Sequence, residues 1–281
     1  MDLLYNTQID KIIELSLSED IGSGDITTLS TIPDNTQAEG VFIAKQDFVL
    51  CGIDIAKKVF LKVDNSVEFK ILRKDGDAIQ KGETIASVSG NASSLLIAER
   101  TALNIMQRLS GISTKTAGCV EMVRGTKAKI TDTRKTTPGM RALEKYAVRV
   151  GGGSNHRFNL ADGVLIKDNH IAASGGIAKA IENARKTIPH TLKIEVEVEN
   201  FEQLREAILA GADIIMLDNM SNEDMAKAVK IVDGKALVEA SGNMDKRNLK
   251  EVADTGVDII SIGALTHTVT AADISLKFKL S

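Results

Sequence analysis

From about residue 125 the chain keeps repeating one phrase: a short β-rich apolar run, a helical stretch, and a turn containing glycine. Strands are expected at AKIT (128–131), GVLI (163–166), KIEVEV (193–198), DIIML (213–217), ALVEA (236–240) and DIISIG (258–263). Helical patterns fill the gaps, as in FEQLREAILAG and NLKEVADTG, each closing on a glycine suited to the position just past a helix end. AGADIIML and TGVDIISIG repeat one helix-to-strand transition. Such alternation implies a parallel sheet with helices outside it, because parallel neighbours need a long crossover between them.

An open doubly wound sheet and a closed barrel both satisfy this pattern, and the polar residues discriminate. In KIEVEVE, Glu195, Glu197 and Glu199 share one strand face and alternate with Val196 and Val198. A strand covered by helices on both sides is apolar on both faces. Acids facing inward near the C-terminal end of a strand suit a barrel mouth instead. The expected fold class is therefore α/β, a βα-barrel with fewer recognisable strands than the usual eight.

The first ~110 residues read differently. An amphipathic helix (IDKIIELSLSED) is followed by short strands such as EGVFIA and VEFKILRKDGD. The long helical stretch SSLLIAERTALNIMQRLSGIS comes next, with Asn91, Ser93 and Ser94 as possible caps. The expected division is an N-terminal α/β domain over 1–112 and a barrel over 113–267, with the alternating AADISLKFKLS in 268–281 returning to the first domain. KDGDAIQKGETIASVSG resembles the turn-rich strands of biotinyl and lipoyl carrier domains, but the lysine tripeptide those domains modify is absent.

Bulk properties exclude several functions. The formal net charge of −3 offers no global field for nucleic acid, and 3% aromatic residues without tryptophan offer few stacking platforms. No run approaches the ~18 apolar residues that span a bilayer, and the N-terminus lacks a signal layout, so a cytoplasmic location without membrane or nucleic-acid partners is expected. Cys51 and Cys119 lie in apolar settings without metal-ligand spacing and read as buried hydrophobes. The triplet NAS at 91–93 reads as a chance sequon.

Against this mildly acidic background, cations gather at the ends of successive apolar runs. Arg134 and Lys135 follow the first strand, His156 and Arg157 follow GGGSN, and Lys167 ends GVLI. Clustered cations repel unless an anion sits among them, and a guanidinium fork can grip a carboxylate or phosphate. Glu197 and Asp218 end the next two strands, positioned for a divalent metal or sugar hydroxyls. Ser241-Gly242-Asn243 and Gly263-Ala264 end the last two, offering N–H groups to phosphate. A metal cluster of His156, Asp162, Asp168 and His170 is disfavoured.

The run DTRKTTPGMRALEKYAVRVGGGSNHRFNLADGVLIKDNHI resembles the signature of the quinolinate phosphoribosyltransferases, also called carboxylating nicotinate-nucleotide pyrophosphorylases. EDIGSGDITT, AERTALNIMQRLSGIST, IEVEVEN, IMLDNM, EASG and SIGALTH match in order along nearly the whole chain. The resemblance implies an N-terminal α/β sandwich, an open βα-barrel and a homodimer, with room for a higher oligomer. It also implies quinolinate and phosphoribosyl pyrophosphate as substrates, with Mg²⁺. By that pattern Arg134, His156, Arg157 and Lys167 bind quinolinate, with Arg100 supplied by the partner subunit, and Thr133 is a further substrate-binding residue. Lys135 lies between the substrates as a catalytic residue. Glu197 and Asp218 serve ribose hydroxyls and metal, and Ser241, Gly242, Asn243, Gly263 and Ala264 take the 5-phosphate. Where the family reads Ser-Gly-Gly, this chain has Asn243. The competing readings are a paralogue acting on another heteroaromatic acid and a non-catalytic phosphate-ligand sensor.

Overall fold

The computed structural model describes residues 7–280. Helices α1 (Thr7–Ile21) and α2 (Ile26–Thr31) precede strands β1 (Gln37–Ala44) and β2 (Phe48–Val49). Then come α3 (Ile53–Val63), β3 (Glu68–Ile71), β4 (Ala78–Ile79), β5 (Thr84–Asn91) and the long helix α4 (Ala92–Met122). The middle of the chain holds β6 (Lys129–Thr131), α5 (Arg141–Val150), β7 (Val164–Ile166), α6 (Asp168–Ser174) and α7 (Ile177–Thr187). It continues as β8 (Ile194–Val198), α8 (Phe201–Leu209), β9 (Ile214–Asp218), α9 (Asn222–Val232) and β10 (Leu237–Ser241). Last are α10 (Leu249–Asp254), β11 (Ile259–Ser261), α11 (Ala264–His267) and β12 (Ile274–Leu280).

These elements form two compact units. The first gathers residues 1–117, 136–152 and 268–281. Its four-stranded antiparallel sheet has the order β12-β1-β5-β3, so the C-terminal segment does pair with β1, Ala44 opposite Ile274. Phe42, Phe60 and Phe69 pack ring against ring at 5.6–5.9 Å in the core. Ile9, Ile12, Ile13 and Leu17 form the buried stripe of α1. Asn91 caps α4, its side-chain oxygen accepting from the backbone N–H of Ser93 and of Ser94.

Residues 136–152 were read from sequence as barrel, yet they group with the first unit. The reason is local packing against α4. Fully buried Glu144 on α5 accepts from Arg108 of α4, and Gly151 lies so close to α4 that a β-carbon there would sit 2.4 Å from the Ser113 carbonyl oxygen. Cys51 of the first unit is fully buried, as expected, whereas Cys119, on the last turns of α4 and in the second unit, is only half-buried.

The second unit, residues 118–135 and 153–267, is built on six parallel strands in the order β6-β11-β10-β9-β8-β7. Register sorts its side chains into two sets. Ile194, Val196, Val198, Ile215, Leu217, Val238, Ala240, Ile260 and Ile130 are buried on the face the helices cover. The opposite face carries Glu195, Glu197, Asp218, Glu239, Ser241, Ser261 and Thr131. Thr131, Val164, Glu195, Ile214, Glu239 and Ile259, one from each strand, line a single cavity of about 230 Å³. The sheet is thus curled around its polar face. Edge strands β6 and β7 do not pair with each other; Thr131 of β6 bridges instead to Ser154 in the following loop. The chain thus comprises an open βα-barrel and a separate α/β domain.

Candidate active site

Because all six strands run parallel, the predicted site residues of this unit fall at one end of the sheet. Thr133, Arg134 and Lys135 follow β6, and Lys167 follows β7. Glu197 lies near the end of β8, while Asp218 and Ser241 are the last residues of β9 and β10 and pair in register. Gly242 and Asn243 extend β10, and Gly263 and Ala264 follow β11. Arg100 belongs to the first unit, where it is exposed on α4.

Two basic loops are tied together by a buried acid. Asp132 has no exposed surface; it accepts from the His156 backbone N–H (2.9 Å) and from Asn155 Nδ2 (2.7 Å). It thereby holds the loop bearing Arg157 against the one bearing Arg134. Burial foremost, and then the like charge of Arg134, push the Arg157 guanidinium below its ordinary pKa. Arg157 Nη1 donates to the Gly163 carbonyl at 3.0 Å. Arg134, Arg157, Lys167 and His170 rim a hollow of about 630 Å³ whose walls include Leu165, Ile166 and Ala180. Cations above an apolar wall suit a flat ring bearing negative groups.

Farther around the rim, Lys167 forms an ion pair with Glu197, whose side chain is 14% exposed. Asp218 accepts from Asn219 Nδ2 at 2.8 Å. The turn after β10 is left-handed at both positions, with φ +92° at Gly242 and +51° at Asn243. Asparagine does supply the geometry a glycine would, and its Nδ2 donates to Asn219 Oδ1 at 3.2 Å. Gly242 has no room for a side chain, since a β-carbon would lie 2.3 Å from Asn219 Oδ1 and 2.8 Å from its backbone nitrogen. At Gly263 a β-carbon would meet Lys135 Cδ at 3.0 Å, and Thr266 Oγ1 donates to the Lys135 carbonyl at 2.7 Å. Exposed Lys135 is therefore laid over the β11 turn.

Below this rim are acids that the sequence reading did not single out for the site. Glu195 and Glu239 are 4% and 1% exposed, inside the curled sheet. His156 Nε2 contacts Glu195 Oε2 at 2.9 Å, and His156 Nδ1 accepts from the Arg157 backbone N–H at 2.8 Å. Both ring nitrogens thus have partners within the protein. Burial first, then the charge of Glu195, raises the Glu239 carboxyl to about 7. The signal for Glu239 was present in ALVEA, where it alternates with buried Val238 and Ala240 as Glu195 alternates with valines. Asp162 and His170 are engaged locally: Asp162 accepts from the Phe158 and Asn159 N–H groups, and His170 Nδ1 from that of Lys167.

Comparison with known proteins agrees with this geometry. Residues 112–277 match the family described as quinolinate phosphoribosyl transferase, C-terminal domain, and residues 25–110 match its N-terminal domain. A protein of Bacillus subtilis described as a probable carboxylating nicotinate-nucleotide pyrophosphorylase is 47% identical over 278 residues, covering 99% of this chain and 96% of that one. The crystal structure of NadC from Streptococcus pyogenes superposes with a TM-score of 0.93 at 43% identity, covering 97% and 96% of the two chains. Nicotinate-nucleotide pyrophosphorylase from Ehrlichia chaffeensis gives 0.93 at 44% identity, covering 99% and 100%. With both domains matched and the polar strand ends in place, the chain belongs to the quinolinate phosphoribosyltransferase family.

Proposed function

We propose that this protein transfers the phosphoribosyl group of phosphoribosyl pyrophosphate to quinolinate with loss of CO₂, yielding nicotinate mononucleotide and pyrophosphate for NAD biosynthesis. The observation that carries the reading is the arrangement at one sheet end: Arg134, Arg157 and Lys167 around an apolar-walled hollow, beside Glu197, Asp218 and a glycine-containing turn. Quinolinate is a flat ring with two carboxylates, matched by two guanidinium forks and an ammonium. Glu197 holds Lys167 until a substrate carboxylate competes for it. The Ser241-Gly242-Asn243 turn and Gly263-Ala264 receive the 5-phosphate on backbone N–H groups, which the tight packing at Gly242 keeps in place.

In this arrangement the pyridine nitrogen forms its bond to ribose C1 as the bond from C1 to the pyrophosphate oxygen breaks, and both electrons leave with pyrophosphate. Lys135, anchored by its backbone over the β11 turn, brings positive charge to the departing group. The resulting pyridinium accepts the electron pair freed when the adjacent carboxylate leaves as CO₂, and a proton replaces it. The chain's work is to position and screen charge, and no covalent nucleophile is needed.

Glu197 and Asp218 lie on the same face of adjacent strands and offer only oxygen, which fits Mg²⁺ shared with substrate phosphates. When bound there, the ion would neutralise developing pyrophosphate charge. The reading extends to a cytoplasmic homodimer in which Arg100 of the partner subunit completes the quinolinate pocket. Exposed Arg100 on α4 and the exposed apolar Ile26 and Leu29 on α2 support it, and no helix among the described residues is long and apolar enough to cross a membrane. Purified protein with quinolinate, phosphoribosyl pyrophosphate and Mg²⁺ should release CO₂ and form nicotinate mononucleotide in equal amounts. Turnover with nicotinate but not quinolinate would overturn the reading.

A further inference from the structure

The His156, Glu195 and Glu239 side chains bring one nitrogen and two carboxylates within 4.8 Å of one another, a grouping that resembles a metal site. The hydrogen bonds of the imidazole argue otherwise. Its Nδ1 accepts from the Arg157 backbone N–H, so the ring proton is on Nε2, the nitrogen that faces Glu195. A neutral imidazole with a proton on Nε2 has no lone pair there for a cation. Glu195 Oε1 and Glu239 Oε1 are both buried without a donor. One proton held between the two acids satisfies both oxygens at once, and Glu239, the more deeply buried of the two, is the acid that carries it.

The connections then form a line across the barrel interior. Glu239 of β10 and Glu195 of β8 bring their carboxylates within 4.8 Å of each other, Glu195 accepts from His156 Nε2, and His156 Nδ1 accepts from the Arg157 backbone. We infer that Glu195 and Glu239 are positioning residues, an internal strut that fixes His156 as a neutral ring and through it sets the place of Arg157. The strut rests on the reading above that Arg157 grips a quinolinate carboxylate. It assigns His156 a part in aiming that cation, distinct from a charge–charge contact with the substrate. Asp132 holds the same loop from its other side through the His156 N–H, so ring and backbone of one residue are clamped independently.

The strut is tested on the parent protein and on five variants. ¹⁵N NMR of the parent should show the His156 ring neutral with its proton on Nε2, with and without quinolinate, and unchanged by added Zn²⁺. A protonated ring, a proton on Nδ1, or a Zn²⁺-dependent shift would overturn the strut. In steady-state assays Glu195→Ala and His156→Ala should each raise the KM for quinolinate tenfold or more, with the KM for phosphoribosyl pyrophosphate within about twofold. His156→Gln, whose amide N–H reaches toward Glu195, and Glu239→Gln, which can donate as the acid does, should stay within about threefold of the parent. If Glu195→Ala leaves quinolinate KM unchanged, or His156→Gln is as impaired as His156→Ala, the strut is wrong. Arg157→Ala separates the two levels: no effect of that change on quinolinate KM would remove the underlying assignment rather than the strut.

Discussion

At the level of single residues, Glu239 carries a cost that depends on pH. Its carboxyl titrates near 7 when folded against an ordinary value of 4.5. Below pH 4.5 the group is protonated folded or unfolded and costs nothing. As pH rises past the ordinary carboxyl value the unfolded chain gains by ionising first, and the folded state loses stability. Glu239→Gln should therefore raise the melting temperature relative to the parent at pH 8, and raise it less or not at all at pH 4.5; an equal change at both would sink the assignment. Arg134 presents the opposite trade. On the proposed function, Arg134→Ala removes a charge-assisted contact to quinolinate worth roughly 1.5–3 kcal/mol, so kcat/KM should fall by about tenfold to over a hundredfold. It also relieves the repulsion on Arg157, so the ligand-free melting temperature should hold or rise. A melting curve beside a kinetic assay checks both halves.

At the level of elements, the turn after β10 is the most constrained piece of backbone at the site. Gly242→Ala must displace Asn219 and hold a positive φ, so affinity for phosphoribosyl pyrophosphate should fall steeply. Asn243→Gly keeps the left-handed geometry and should change that affinity by at most about tenfold, or ~1.4 kcal/mol, whereas Asn243→Val should do far worse because a β-branched residue resists φ +51°. Titration of the three variants decides the matter, and a valine variant that binds like the parent would remove the turn from the phosphate site. The elements themselves were largely legible. The repeated strand–helix phrase gave all six barrel strands, and the alternating acids gave the curled sheet, because burial and period 2 are written in local sequence. Strand ends were less so: the run 258–263 became β11 at Ile259–Ser261, since only that stretch finds parallel partners. Helix α5 packs with α4 through Arg108 and the close approach at Gly151, contacts that its own local sequence does not announce. The orientation of His156 was hidden for the same reason. Motif order places the residue, but its ring nitrogens answer to Glu195 and to a backbone amide.

At the level of the whole molecule, sharing of the site between subunits has a direct test. Arg100→Ala and Lys167→Ala should each be inactive alone and regain activity when mixed under conditions of subunit exchange, because one hybrid site keeps both residues. No recovery after confirmed exchange would place the site within one chain. The order in which the chain is made adds a separate consequence. The first unit is stitched from three stretches, and β1 takes β12 as its neighbour on the edge away from β5. Roughly 240 residues separate those two strands, and at about 5–20 residues per second of translation β1 waits on the order of tens of seconds for its partner. During that interval the edge of β1 is an open template for any other strand. A pause anywhere in the synthesis of the barrel therefore leaves the finished-looking sandwich as the aggregation-prone part of the nascent chain, and a chaperone that shields the Gln37–Ala44 edge would be needed longest there.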